Sequence, residues 1–188
     1  YTLSGLTIST TYQISISAKD AADNESEQSD EVAITTTDGQ SNGVNELFIS
    51  EYVEPQGGVN KAIEIVNLTS SAINLTGYSI KKQSNGAGDW INELPLSGSI
   101  GVNDVYVIIH FQADDASLVN EADLIAPEGS NYGAPVNFNG NDAVGLFKNG
   151  VLIDIVGVLN ETAKNFENMT LRRKLTVTTP NTTYDANE

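Results

Sequence analysis

Cysteine is absent from the 188 residues, and histidine, methionine and tryptophan each occur once. Without cysteine there is no disulfide framework, no thiolate metal site and no thiol catalysis, which removes zinc fingers and iron–sulfur clusters. Only nine Lys and Arg stand against 25 Asp and Glu, a formal charge of −16. A chain this acidic repels phosphate backbones over most of its surface, so nucleic acid is not an expected partner. No apolar run approaches the roughly 18 residues of a transmembrane helix, so no membrane span is expected. No basic segment followed by an apolar stretch opens the sequence, and no signal peptide is expected in it. Hydrophobic residues nevertheless make up 39% of the chain, enough for a packed core and too many for global disorder.

What is present has a period of two. In Tyr12-Gln-Ile-Ser-Ile-Ser-Ala18 the residues Tyr12, Ile14, Ile16 and Ala18 share one face and polar residues the other, the pattern of a half-buried antiparallel strand. Glu31–Thr36 is a second strand candidate, and the acidic Asp20–Asp30 stretch between them has nothing to bury. Asp38-Gly-Gln-Ser-Asn-Gly43 then reads as an inter-domain linker. Beyond it, strand-like runs follow at Leu47–Val53, Ala62–Leu68, Tyr78–Lys82, Val105–His110, Val144–Lys148 and Val151–Val156. Asn149-Gly150 joins the last two as a type I′ hairpin signal, because both residues tolerate positive φ. Only Ala113–Ala122 has helical spacing. Many short strands divided by turn residues predict an all-β sandwich. The expected core is Tyr12, Ile14, Ile16, Phe48, Ile63, Ile65, Leu75, Val107, Ile109, Val144, Leu146, Ile153 and Ile155.

Two resemblances sharpen this reading. Leu6-Thr-Ile-Ser-Thr-Thr-Tyr12 and Ala18-Lys-Asp-Ala-Ala-Asp-Asn-Glu-Ser26 resemble the last third of a fibronectin type III domain, around its strand F and the loop that follows. In that family a Tyr hydroxyl ties the corner to nearby backbone. Asp23 stands where that family usually has Gly. Residues 46–188 resemble a lamin tail domain, an immunoglobulin-like module. The matching pieces are Leu47–Glu54, Asn60–Asn67, Ile73–Ile80, Asn137–Phe147, Leu152–Gly157 and Thr170-Leu-Arg-Arg-Lys174. The expected organisation is therefore residues 1–37 as C-terminal strands of a fibronectin type III sandwich, 38–45 as linker and 46–188 as the lamin tail domain. Three strands cannot close a sandwich, so the chain is expected to be a fragment of a longer protein. The version resembled is bacterial, in which the module follows fibronectin-like domains in exported proteins. The resemblance implies a non-catalytic accessory, anchoring or spacer module, extracellular or at the cell surface. Its partners would be other domains of the parent chain and a cell-surface, protein or carbohydrate ligand. The alternative it implies is the C-terminal region of a secreted hydrolase, most of all an extracellular endonuclease, or part of a multidomain adhesin.

The candidate chemistry is sparse. Gly39-Gln-Ser-Asn-Gly43 spells a nucleophile-elbow pattern, but a strand follows where the elbow needs a helix, and His110 is the sole imidazole. We therefore expect no catalytic residue, with His110 a structural or rim side chain at a strand end. No cofactor is expected. Calcium is the metal considered, because it takes about six to eight oxygen ligands without rigid geometry, with Asp20, Asp23 and Asp142 as candidate ligands in polar loops, although neither loop has EF-hand spacing. Glu51 and Glu64 sit inside apolar strands and need partners. Lys61 and the one basic cluster, Arg172, Arg173 and Lys174, are the expected ion-pair partners for such acids. Trp90 and Tyr132 are read as caps on a core rather than as a carbohydrate-stacking surface.

Overall fold

The computed structural model describes residues 6–7, 10–36, 45–128 and 135–188. The Gly39–Gly43 motif, all of the expected linker except residue 45, and Tyr132 lie outside them. The chain divides into two compact units, Tyr1–Gln40 and Ser41–Glu188.

In the first unit β1 (Thr11–Ile14) pairs antiparallel with β2 (Val32–Thr35), setting Tyr12 opposite Ile34 and Ile14 opposite Val32. The alternation of the sequence is thus realised as one apolar side of a ribbon. That side is not the core expected of it. Tyr12 and Ile14 are half-buried, and Ile16 is 73% exposed. A two-stranded ribbon has no second layer of its own against which to bury a face.

The second unit holds β3 (Phe48–Val53), β4 (Ala62–Asn67), β5 (Ile73–Asn74), β6 (Tyr78–Gln83), β7 (Ile91–Pro95), β8 (Ser99–Ile100) and β9 (Asp104–Ile109). Helix α1 (Ala116–Glu121) follows, then β10 (Leu124–Ile125), β11 (Ala143–Lys148), β12 (Val151–Val156) and β13 (Thr170–Arg172). One sheet has the order β10-β9-β4-β3-β13, the other β12-β11-β6-β7, and β5 pairs separately with β8. All pairings are antiparallel except β9–β10, which α1 connects as a crossover. The two larger sheets form an immunoglobulin-like β-sandwich. Ile63, Ile65 and Ile108 of the first meet Ile80, Val144 and Leu146 of the second in one core, each with no exposed surface. Burial of each such side chain contributes about 1.5–3 kcal/mol.

Local sequence explains most boundaries. Alternation in β4 turns Ile63 and Ile65 inward and Glu64 outward. Asn149 (φ 51°) and Gly150 (φ 78°) make the tight turn between β11 and β12. Helix α1 is shorter than Ala113–Ala122, because the Asp115 carboxylate caps it by accepting from the Leu118 amide at 3.0 Å.

Two core expectations in the second unit are corrected. Val107 is half-buried, and Tyr106 and Ile108 face the core instead. The run Val105–Ile109 is apolar at every position, so alternation could not choose its face. Phe48 is buried as expected, beneath the Arg173 guanidinium at 5.5 Å from its ring centre, and its neighbours Leu47 and Ile49 enter the main cluster. Ile153 packs against the core only partly buried.

Candidate functional site

The ionisable side chains inside the second unit gather at three places. At one end of the sandwich, Lys61 precedes β4 in the five-stranded sheet and Lys82 lies on β6 of the other. Their ammonium groups donate to adjacent backbone carbonyls, Lys61 to Phe138 and Lys82 to Asn137 at 2.5 Å. One lysine from each sheet thus grips the segment that leads into β11. Lys61 also approaches the Glu54 carboxylate at 3.9 Å, and Glu54 accepts from the Asn168 amide at 2.9 Å. Asp142, almost fully buried, accepts from the amides of Asn85 at 2.5 Å and Asn139 at 3.0 Å. Burial pulls both lysines below the ordinary ammonium range. The ring of Phe138 stacks on Tyr52 at 4.5 Å, and burial pushes the Tyr52 phenol well up.

His110 closes this end of β9, with 3% of its surface exposed. Its Nδ1 accepts from the Gln112 amide at 3.1 Å, so the ring is neutral there. Burial first, then the charges of Lys61 and Lys82, hold it below its ordinary value of 6.5. An imidazole whose Nδ1 is spent on backbone and whose surface is covered is a structural group rather than an accessible base.

At the second place, Asp154 on β12 has no exposed surface. Its carboxylate accepts from the Ile49 amide at 2.7 Å, the Asn181 amide at 2.7 Å and the Arg173 guanidinium at 2.8 Å. Burial raises its carboxyl above the ordinary range, while Arg173 and the two amides pull the other way. The clamp joins β3, β12 and the segment after β13. At the third, Glu46 accepts from Lys148 at 2.6 Å and from the Tyr78 hydroxyl at 2.5 Å. These bonds hold the Glu46 carboxyl below its ordinary range against the opposing effect of burial.

The residues singled out by sequence fall as follows. Arg172 pairs with Glu51 at 3.0 Å, its own side chain 74% exposed, so the pair contributes little stability. Glu64 differs from expectation. It is directly opposite Glu51 in register and is held by the Ser50 hydroxyl at 2.7 Å rather than by a cation, because Arg172 lies on the far side of Glu51. Arg173 serves Asp154, an acid the sequence reading did not select, although an Asp in the middle of Val151–Val156 was a legible signal. Lys174 donates to the Asn187 carbonyl at 2.5 Å, not to an acid. Asp20 accepts from the Asn24 side chain and from the Ala22 and Asn24 amides in an Asx-type turn, the side-chain bond first and the amides next lowering its carboxyl, and Asp23 occupies the positive-φ step of that turn. Asp20 and Asp23 belong to the first unit and Asp142 to the second; among the described residues no three His, Asp or Glu side chains gather as a metal site. Trp90 packs edge-on against Phe147 at 5.1 Å.

The outer face of the five-stranded sheet forms an open groove. Val53, Ala62 and Val107 make its floor, and Ser117, Leu118 and Glu121 of α1 stand along one side. Glu51 and Glu64 line it as well. No helix among the described residues is long and apolar enough to cross a membrane.

A search of curated proteins finds no match. Residues 40–160 match the family model described as Lamin Tail Domain, a span that covers every strand of the two main sheets except β13. Its members share a non-catalytic immunoglobulin-like domain, which agrees with the sandwich of β3–β13 and with buried charges spent on the chain's own backbone. The chain belongs to the lamin tail domain family.

Proposed function

We propose that this chain is a non-catalytic accessory module that anchors or spaces the domains of a larger secreted or cell-surface bacterial protein. The observation that carries the reading is the use made of buried ionisable groups. Lys61, Lys82, Asp142, Asp154 and His110 each engage backbone carbonyls or amides of this chain. Groups committed in this way stiffen a scaffold and are not free to activate a substrate.

The fibronectin-like reading of the first unit supports an exported parent. There the Thr7 amide donates to the Tyr12 hydroxyl at 2.7 Å, a bond of the tyrosine-corner kind. Partners under this reading are neighbouring domains of the parent and a surface, protein or carbohydrate ligand. It requires no cofactor and no calcium. The test is an assay of the purified chain against nucleic acids, phosphodiesters and glycans, where no turnover is expected. Turnover that falls with substitution of His110 or Lys82 in a still-folded protein overturns the reading. The reading frame around the segment decides between an adhesin-like array and a hydrolase whose catalytic domain lies elsewhere.

A further inference from the structure

Of the side-chain contacts described above, only the Glu51–Arg172 pair and the Ser50–Glu64 bond reach the groove on the outer face of the five-stranded sheet. Its floor is aliphatic, from Val53, Ala62 and Val107, and Leu118 of α1 borders it. Alternation continues the apolar surface towards the sheet edge, where Val105 is 37% and Ile125 55% exposed. Helix α1 contributes no buried residue, so Leu118 is presented to the groove rather than sealed into a core.

The charges around this floor are of one sign where they are not already paired. Glu51 and Glu64 face each other directly across β3 and β4, and like charges in that position repel. Arg172 answers Glu51 alone, from a largely solvated position. Glu64 has a hydroxyl partner, and Glu121 adds a third carboxylate on the helix side. An apolar strip edged by unneutralised carboxylates favours a ligand that is aliphatic in its middle and cationic at its flanks.

We propose that this groove docks a cationic amphipathic peptide segment of a partner protein, with an aliphatic side chain laid on Val107 and Leu118 and flanking Lys or Arg over Glu64 and Glu121. A second copy of this chain fits less well. At a formal charge of −16 two copies repel, whereas a basic partner is steered in by the same field. The inference goes beyond the scaffold reading and can fail without it, since that reading is tested by turnover and this one by peptide binding.

The full chain is titrated against fluorescein-labelled Lys-Lys-Leu-Leu-Lys-Lys and against Lys-Lys-Ser-Ser-Lys-Lys at physiological salt. The leucine peptide is expected to bind about 10-fold more tightly or better, and Glu64→Gln and Leu118→Ser are each expected to weaken it about 5-fold or more. Both positions lie outside the buried core, so unfolding midpoints should stay at the wild-type value. Equal affinity for the two peptides reduces the attraction to net charge and overturns the proposal. So does binding that neither variant changes, and so does absence of binding. Concentration-dependent self-association that the leucine peptide competes away, and that Leu175→Ser abolishes, would assign the groove to a second copy instead; Leu175 beside the basic cluster is fully exposed.

Discussion

Asp154 shows how much of the fold hangs on one side chain. Two backbone amides and a guanidinium end on its carboxylate, and none of its surface meets solvent. Replacing it leaves the Ile49 and Asn181 amides without an acceptor and leaves the largely buried Arg173 with only the more distant Glu188 carboxylate at 3.7 Å. Asp154→Ala should therefore cost about 3–5 kcal/mol in urea unfolding. His110 gives a pH signature with a definite sign. Its folded value lies below 6.5, so the unfolded chain binds the proton first as pH falls. Stability contributed by the neutral ring is fully present above about pH 6.5 and declines below it. His110→Asn keeps an acceptor for the Gln112 amide but cannot titrate. Comparing unfolding midpoints at pH 7.5 and 5.5, the drop should be smaller in the variant than in the native chain. Metal removal provides a third check at this scale. Asp20 and Asp142 already accept from backbone amides, so an excess of EDTA should leave the thermal midpoint unchanged. A fall restored by calcium would reinstate a cation.

At the scale of elements, close packing of a loop sets the boundary conditions for the four-stranded sheet. A methyl group on Gly140 would strike the backbone nitrogen and Cα of Glu167, and the Phe166 amide donates to the Gly140 carbonyl at 3.1 Å. Gly140→Ala must push that loop away and should cost about 1–3 kcal/mol by overpacking. Protection of the Phe166 amide from hydrogen exchange should fall with it. The same element shows where the sequence was legible. The strands at β3, β4, β6, β9, β11 and β12 were readable because each is a run of six residues with β-branched or alternating apolar content. The turn at Asn149–Gly150 was readable because its positive φ demands those residues. The strands β5, β8 and β10 were not, since two residues carry no period, and β7 contains Asn92 at φ 55°, which breaks its alternation. The face of β9 was misread because all of its central positions are apolar. The buried cluster of Lys61, Lys82 and His110 was illegible for a different reason. Its partners are backbone carbonyls and amides, which every sequence offers everywhere, so only tertiary placement reveals which lysine reaches which carbonyl.

At the scale of the whole molecule, the family match ends at residue 160 while the packing continues beyond it. Strand β13, Arg173 and Asn181 all lie outside the matched span, yet they complete the five-stranded sheet and the Asp154 clamp. A chain cut after residue 160 exposes the β3 edge and strands a buried carboxylate. Circular dichroism and urea titration should find that product unfolded or severely destabilised, whereas removal of residues 1–44 should leave the main transition in place, because the hydrophobic cluster is drawn entirely from Leu47 to Leu171. The turns carry a last consequence. Among the described residues, six of the seven non-glycine residues at positive φ are asparagines, and Asn85 and Asn149 are each followed by glycine. Glycine leaves its amide nitrogen unshielded, so in such a dipeptide that nitrogen attacks the asparagine carboxamide more readily than elsewhere, expelling ammonia to form a cyclic succinimide that water then opens to aspartate or isoaspartate. The chemistry that bends these hairpins is thus also a clock. Each tick adds negative charge to an already acidic surface, and its rate follows how often the turn breathes open.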